Sequence, residues 1–169
     1  MDEKTHHSGL GTENGSTEKL ESLWRQFGRA GSEKEFCTAW LALQCCAIPG
    51  VVSGIVLLAS SDKEGSYALA ASWPEGPGDF KHLAEVAERV LKEKRGLAVK
   101  RQANGTDASR SSYDLAYPVH VAGRVFGVVA LDIDSRQEAA LRDAMRQLQW
   151  GSAWMEVLCH RNRSSTDTA

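Results

Sequence analysis

The stretch Tyr117-Pro118-Val119-His120-Val121-Ala122-Gly123-Arg124-Val125-Phe126-Gly127-Val128-Val129-Ala130-Leu131 decides the fold. Tyr117, Val119 and Val121 alternate with Pro118 and His120, which is the period of a strand with one core face. Ala122-Gly123 turns the chain, with Gly123 supplying the positive φ of a tight hairpin. Arg124 to Asp132 returns as an apolar strand. Gly127 within it leaves room for a neighbouring helix or strand to approach closely. Pro118 cannot donate to a ladder, so it predicts an edge position or a local bend.

Working outward, the first strand of this hairpin extends back to Tyr113, with Leu115 on the core face and Asp114 and Ala116 on the other. Lys100 to Ser112 is polar, centred on Asn104-Gly105, and predicts a long loop after a short strand Leu97-Ala98-Val99. Phe80, Leu83, Ala84, Ala87, Val90 and Leu91 make a helical stripe, with Asp79 as N-cap and Gly96 as stop. Pro74-Glu75-Gly76-Pro77-Gly78 is a loop. Val51–Ser60, carrying Ile55-Val56-Leu57-Leu58-Ala59, is a strand covered on both faces. Tyr67, Leu69, Ala71 and Trp73 alternate in a second strand, joined to the first by a polar turn.

Two helices precede these strands. Leu20, Leu23, Trp24 and Phe27 follow i, i+3, i+4, i+7. Ser32-Glu33-Lys34-Glu35 is a capping box that opens a helix burying Phe36, Trp40, Leu43 and Ala47. A second box, Ser135-Arg136-Gln137-Glu138, opens a last helix whose stripe is Leu141, Ala144, Met145, Leu148, Ser152, Met155 and Leu158. Tight turns between strands predict a largely antiparallel sheet in an α+β domain, with helices on both faces. Residues 1–17 and 161–169 are polar and predict disordered tails around a domain at 18–160.

The chain has 169 residues, enough for one domain with its own core, and a formal charge of −2. With a pI near 6.2 it has no basic field to release phosphate counterions, which argues against nucleic acid as a partner. The N-terminus has no apolar h-region, and no apolar run is long enough to span a bilayer. Cys37, Cys45, Cys46 and Cys159 show no C-x-x-C spacing and predict reduced, buried thiols in a cytoplasmic protein. His6-His7 lacks a third ligand. Asp132 and Asp134 read as a strand end and a helix cap rather than a cation site, and His120 reads as solvated. No catalytic arrangement and no metal site is expected, and the cofactor is unknown.

The helix and strand order, and above all the hairpin Tyr117–Leu131, resembles the GAF domain family, whose members show an apolar-Pro-apolar strand, a turn glycine, and a glycine before a final apolar strand. The resemblance covers about Leu20 to Leu158. It implies a sheet of about six strands, with the terminal helices on one side and a lid over a ligand pocket on the other. The lid maps to Asp79–Gly96 and Lys100–Ser112. Lys100, Arg101 and Arg110 on that lid would then attract an anionic ligand, with Trp73, Tyr113 and Tyr117 as an aromatic wall; a solvated helix face and ordinary packing are the plainer readings. The family also implies a homodimer through the terminal helices, with Leu20, Leu23, Trp24, Phe27, Leu148, Trp150, Trp154 and Met155 as interface candidates; packing of both stripes on the sheet is the alternative reading.

Gln149-Trp150-Gly151-Ser152-Ala153-Trp154 is similar to the end of GAF regions that precede bacterial membrane-fusion (efflux adaptor) proteins, which implies the soluble part of a longer, membrane-anchored protein. The function expected from all this is a non-enzymatic sensory or regulatory module. The alternatives are a pure dimerisation scaffold, a cytosolic docking module of a transport assembly, and an enzyme of the free methionine sulfoxide reductase type. The last would need activated cysteines, and no basic residue adjoins Cys45 or Cys46. The cyclic-nucleotide pattern of the family is missing, as is a lid cysteine for bilin attachment.

Overall fold

The structure is a computed structural model that describes residues 11–101, 111–135 and 137–166. Helices α1 (Gly11–Arg29) and α2 (Glu33–Ala47) lead into strands β1 (Val51–Ala59) and β2 (Tyr67–Trp73). Helix α3 (Lys81–Glu93), strands β3 (Leu97–Arg101), β4 (Ser111–Val121) and β5 (Arg124–Ser135), and helix α4 (Glu138–Thr166) complete the chain. The sheet has five strands in the order β2-β1-β5-β4-β3, every neighbouring pair antiparallel. That is one strand fewer than the family resemblance implies, and it matches the strands read residue by residue.

The β4–β5 hairpin pairs Val121 with Arg124, Tyr117 with Val129 and Leu115 with Leu131. Ala122 and Gly123 both have positive φ, at 52° and 75°, as a two-residue turn matching the strand twist requires. Pairing of β3 with β4 stops at Ala116, so Pro118 lies on a free edge where no ladder donor is needed. A bulge between Val119 and His120 follows it. His120, expected to be solvated, is half-buried.

Side-chain alternation divides the sheet between two cores. On one face Leu115, Val119, Val129, Leu131 and Ile133 pack with Trp40 and Leu41 of α2 and with Leu148 and Met155 of α4. On the other, Ile55, Ala116, Val128 and Ala130 pack against Leu83, Val86, Ala87 and Val90 of α3. Each fully buried Leu or Val contributes about 1.5–3 kcal/mol over its exposed state. Capping follows the serine pattern: Ser32 Oγ accepts from the Glu35 amide at 3.2 Å, while Glu35 reaches back to the Gly31 amide at 2.8 Å. Trp40 Nε1 donates to the Gly151 carbonyl at 3.1 Å and ties α2 to α4.

Helix α1 begins at Gly11, inside the stretch read as a tail, and α4 runs to Thr166. The expected loop Lys100–Ser112 is shorter at both ends: Lys100 and Arg101 pair with Tyr113 and Ser112 as a strand ladder. Arg110 and His6-His7 lie outside the described residues. Leu148 and Met155 require a correction. Both are 0% exposed in the core of this chain, so they cannot form a partner surface. The seven-residue step between them keeps both on the face of α4 that meets the sheet, while Trp150 and Trp154 turn outward at 69% and 65% exposed.

Candidate functional site

The α3 face of the sheet is apolar except at one end. Arg101 lies on the same face as Leu97 and Val99, because β-strand side chains alternate. Asp114 and Asp132 are directly paired across β4 and β5 and share the face of Ala116, Val128 and Ala130. His82, the second residue of α3, comes down onto them from the helix above.

Arg101 Nη2 donates to Asp132 Oδ1 at 2.6 Å. Arg101 Nε stands 3.3 Å from Asp114 Oδ1. His82 Nε2 lies 3.4 Å from Asp132 Oδ2 and 3.8 Å from Asp114 Oδ1. The two carboxylates therefore sit beneath the first turn of α3, the positive end of its dipole. Both aspartates are buried. Asp114 Oδ1, His82 Nε2 and Arg101 Nε are shielded from solvent and make no hydrogen bond among the described residues. Burial pushes the Asp114 carboxyl above the ordinary carboxylate range; Arg101 and then His82 pull it back, while Asp132 and Glu85 raise it further.

This cluster differs from the expected ligand wall. Of the described members of that set, only Arg101 faces α3. Trp73 and Tyr117 pack into the opposite core, beneath α2 and α4. Lys100 and Tyr113 are cross-strand partners on that same opposite face, with Lys100 exposed. Alternation explains the split: consecutive strand residues point to opposite sides, so Lys100 and Arg101 cannot serve one pocket. Asp132 is neither a strand end nor a cap but a buried ion-pair partner three residues inside β5. A carboxylate in a strand covered on both faces has to be buried, and that signal was present in Val128–Ile133.

The cysteines divide as well. Cys37, Cys45 and Cys159 are buried, whereas Cys46 is exposed, contrary to the expectation of uniformly buried thiols. Burial pushes the Cys37 thiol up to about 12 and raises Cys45 strongly, which makes both poor nucleophiles. A disulfide-forming chromogenic reagent should accordingly titrate one fast thiol in the native protein. Cys46→Ser should abolish that phase, with the remaining thiols reacting only as the chain unfolds.

On the opposite side of the sheet, Trp24, Phe27, Trp40, Leu43, Gln44 and Trp154 line an apolar cavity of about 200 Å³ between α1, α2 and α4. Leu20 and Trp24 of α1 and Trp150, Trp154 and Val157 of α4 are exposed, while Leu23 and Phe27 are half-buried. The Gln149–Trp154 string thus lies in mid-helix, with Gly151 against the Gln44 side chain.

The five-stranded antiparallel sheet, with terminal helices on one face and a single helix on the other, is GAF-like by comparison with solved structures. The chain is similar to the GAF domain of A. aeolicus Nlh2, solved in an inactive state, at 13% identity and a TM-score of 0.54, over 83% of this chain and 92% of that one. It is similar to the GAF domain of a phosphoenolpyruvate-protein phosphotransferase from Coxiella burnetii at 12% identity and 0.51, over 92% and 99%. The chromophore-binding domain of Stigmatella aurantiaca phytochrome P1 matches at 10% and 0.51, over 92% and 63%. At these identities the likeness is one of fold. No family model and no curated protein matches the sequence. No helix among the described residues is long and apolar enough to cross a membrane.

Proposed function

We propose that this chain is a cytoplasmic sensory or regulatory GAF domain that binds a small ligand at the polar end of the α3 face and signals as a homodimer through α1 and α4. The observation that carries the reading is the Arg101–Asp114–Asp132–His82 cluster. Four ionisable groups are gathered between a helix and a sheet where apolar side chains would stabilise the fold at least as well. Buried, incompletely satisfied ionisable groups, with the Asp114 carboxyl raised by burial, are of the kind that concentrates at functional sites. Similarity of fold to the sensory and regulatory domains above supports the same reading. The buried, weakly acidic thiols of Cys37 and Cys45 favour binding over sulfoxide reduction.

Ligand binding between α3 and the sheet would bias how α3 packs, and through the sheet the helices behind it, by differential affinity for two arrangements. Leu20, Trp24, Trp150 and Trp154 form the partner surface, since exposed aromatic anchors are what such interfaces use. A thermal-shift screen of small anions, amines, amino acids, nucleotides and metal ions tests the first part. A hit whose stabilisation disappears in Asp132→Asn supports it, and a panel without any such hit counts against it. Sedimentation velocity over a range of concentrations tests the second: a dimer that Trp150→Ala/Trp154→Ala converts to monomer is expected, and a wild-type monomer throughout refutes it.

A further inference from the structure

We propose that His82, Asp114 and Asp132 bind a divalent first-row transition-metal ion; the inference rests on the reading of the α3 face as a ligand site and names the ligand's class. The three side chains each offer one ligand atom, and those atoms lie within 4.8 Å of one another. An ion about 2.1 Å from each ligand holds tetrahedral or octahedral neighbours about 3.0–3.4 Å apart. His82 Nε2 and Asp132 Oδ2 stand at 3.4 Å already and His82 Nε2 and Asp114 Oδ1 at 3.8 Å, with all three ligand atoms within 4.8 Å, so side-chain rotation has to draw the carboxylates inward to close the shell.

Two of the donors also lack a hydrogen bond among the described residues, although both lie in ion-pair contacts. The Asp114 side chain is 4% exposed, yet its Oδ1, which faces His82, makes no hydrogen bond among the described residues. A buried carboxylate oxygen with unused lone pairs calls for a partner. His82 Nε2 is in the same condition, and it points into the cluster. Arg101 fills this role only in part. Its Nε stands 3.3 Å from Asp114 Oδ1 as an ion pair without a hydrogen bond, and its bond to Asp132 Oδ1 leaves Asp132 Oδ2 turned toward His82, so Arg101 is a positioning residue that orients the carboxylates from behind.

Charge and chemistry agree on the class. Two carboxylates against one guanidinium leave a net −1 when His82 is neutral, the state in which imidazole ligates a metal. One imidazole nitrogen with two carboxylate oxygens suits Zn²⁺, Fe²⁺, Co²⁺ or Mn²⁺ better than the soft Cu(I), which favours thiolate and thioether ligands. Three protein ligands leave a coordination position for water or a small molecule. Because His82 belongs to α3 and the aspartates to β4 and β5, an ion here ties the helix to the sheet.

The test uses the full chain carrying His6→Ala, His7→Ala and Cys46→Ser, so that the tail histidines and the exposed thiol add no metal signal, after treatment with chelator. Co²⁺ is titrated by absorption and Zn²⁺ by calorimetry and thermal shift. The expected result is one equivalent bound, ligand-field bands of nitrogen and oxygen coordination, and a raised melting temperature, with affinity falling at least tenfold in His82→Ala and in Asp132→Asn. No saturable binding, or binding unaffected by both substitutions, overturns the proposal. Should either variant fail to fold, diethylpyrocarbonate footprinting of the parent chain decides: Zn²⁺ must protect His82 and leave His120 and His160 unchanged. An organic ligand that stabilises the chain in an Asp132-dependent way, with no metal bound, would defeat the metal site while leaving the sensory reading intact.

Discussion

Gly127→Val is expected to lower the stability of the chain by about 3 kcal/mol, the upper end for forcing volume into a packed core. Gly127 sits in β5 between β1 and β4, opposite Leu58 and Val119. A Cβ there would overlap the Leu57 carbonyl oxygen and come 2.7 Å from Leu58 Cδ2. The first of these is backbone in a neighbouring strand, so it cannot swing aside as a side-chain terminus could, and the β1–β5 ladder must spread. For a chain of this length the thermal midpoint should drop by about 10 °C. Gly123→Ala is the control. Its Cβ meets nothing within 4 Å, and only the positive φ of 75° opposes it. The expected cost is about 1 kcal/mol. Thermal unfolding of both variants checks the contrast; equal losses would mean that close strand approach is not what Gly127 provides.

Arg101→Ala should cost about 2 kcal/mol near neutral pH, below the 3–5 kcal/mol for breaking a fully buried pair because the guanidinium is 32% exposed. The substitution removes the 2.6 Å bond to Asp132 and the main countercharge of Asp114. Its pH dependence has a definite sign. Asp114 is held above its ordinary range by burial, so the folded chain binds its proton more tightly than the unfolded chain does. Stability is therefore lost as pH rises through the window between the unfolded and folded values, and the loss is complete above the folded one. Without Arg101 that window extends upward. The gap between variant and wild type should be widest near neutral pH and narrow as the solution is acidified toward about pH 4. Urea denaturation at several pH values measures it. Lys100→Ala, one residue away on the other face and exposed, should change stability by less than about 0.5 kcal/mol. A gap that is flat with pH would show that Arg101 does not oppose the buried charge of Asp114.

The elements of the fold were legible because they are local. The hairpin turn at Ala122-Gly123, the cap at Ser32, and the apolar runs of β1 and β5 are each written in neighbouring residues. The stripe Ala144, Leu148, Ser152 and Met155 also lies on the buried side of α4, as its period predicts. What that stripe faces was not local. The same pattern serves a dimer seam or a sheet, and Leu148 and Met155 face the sheet while Trp150 and Trp154 do not.

The candidate site shows the same division more sharply. By itself the order of residues determined an antiparallel, helix-clad sheet hinged on Tyr117–Leu131, since turn chemistry and side-chain period act over a few residues. Only the tertiary structure brought His82, Arg101, Asp114 and Asp132 together, from one helix and three strands up to 50 positions apart. Strand register determines that Asp114 faces Asp132, and helix docking determines that His82 covers both. Neither is encoded within any short window of the chain, because both depend on how two covered faces of one sheet are filled at once.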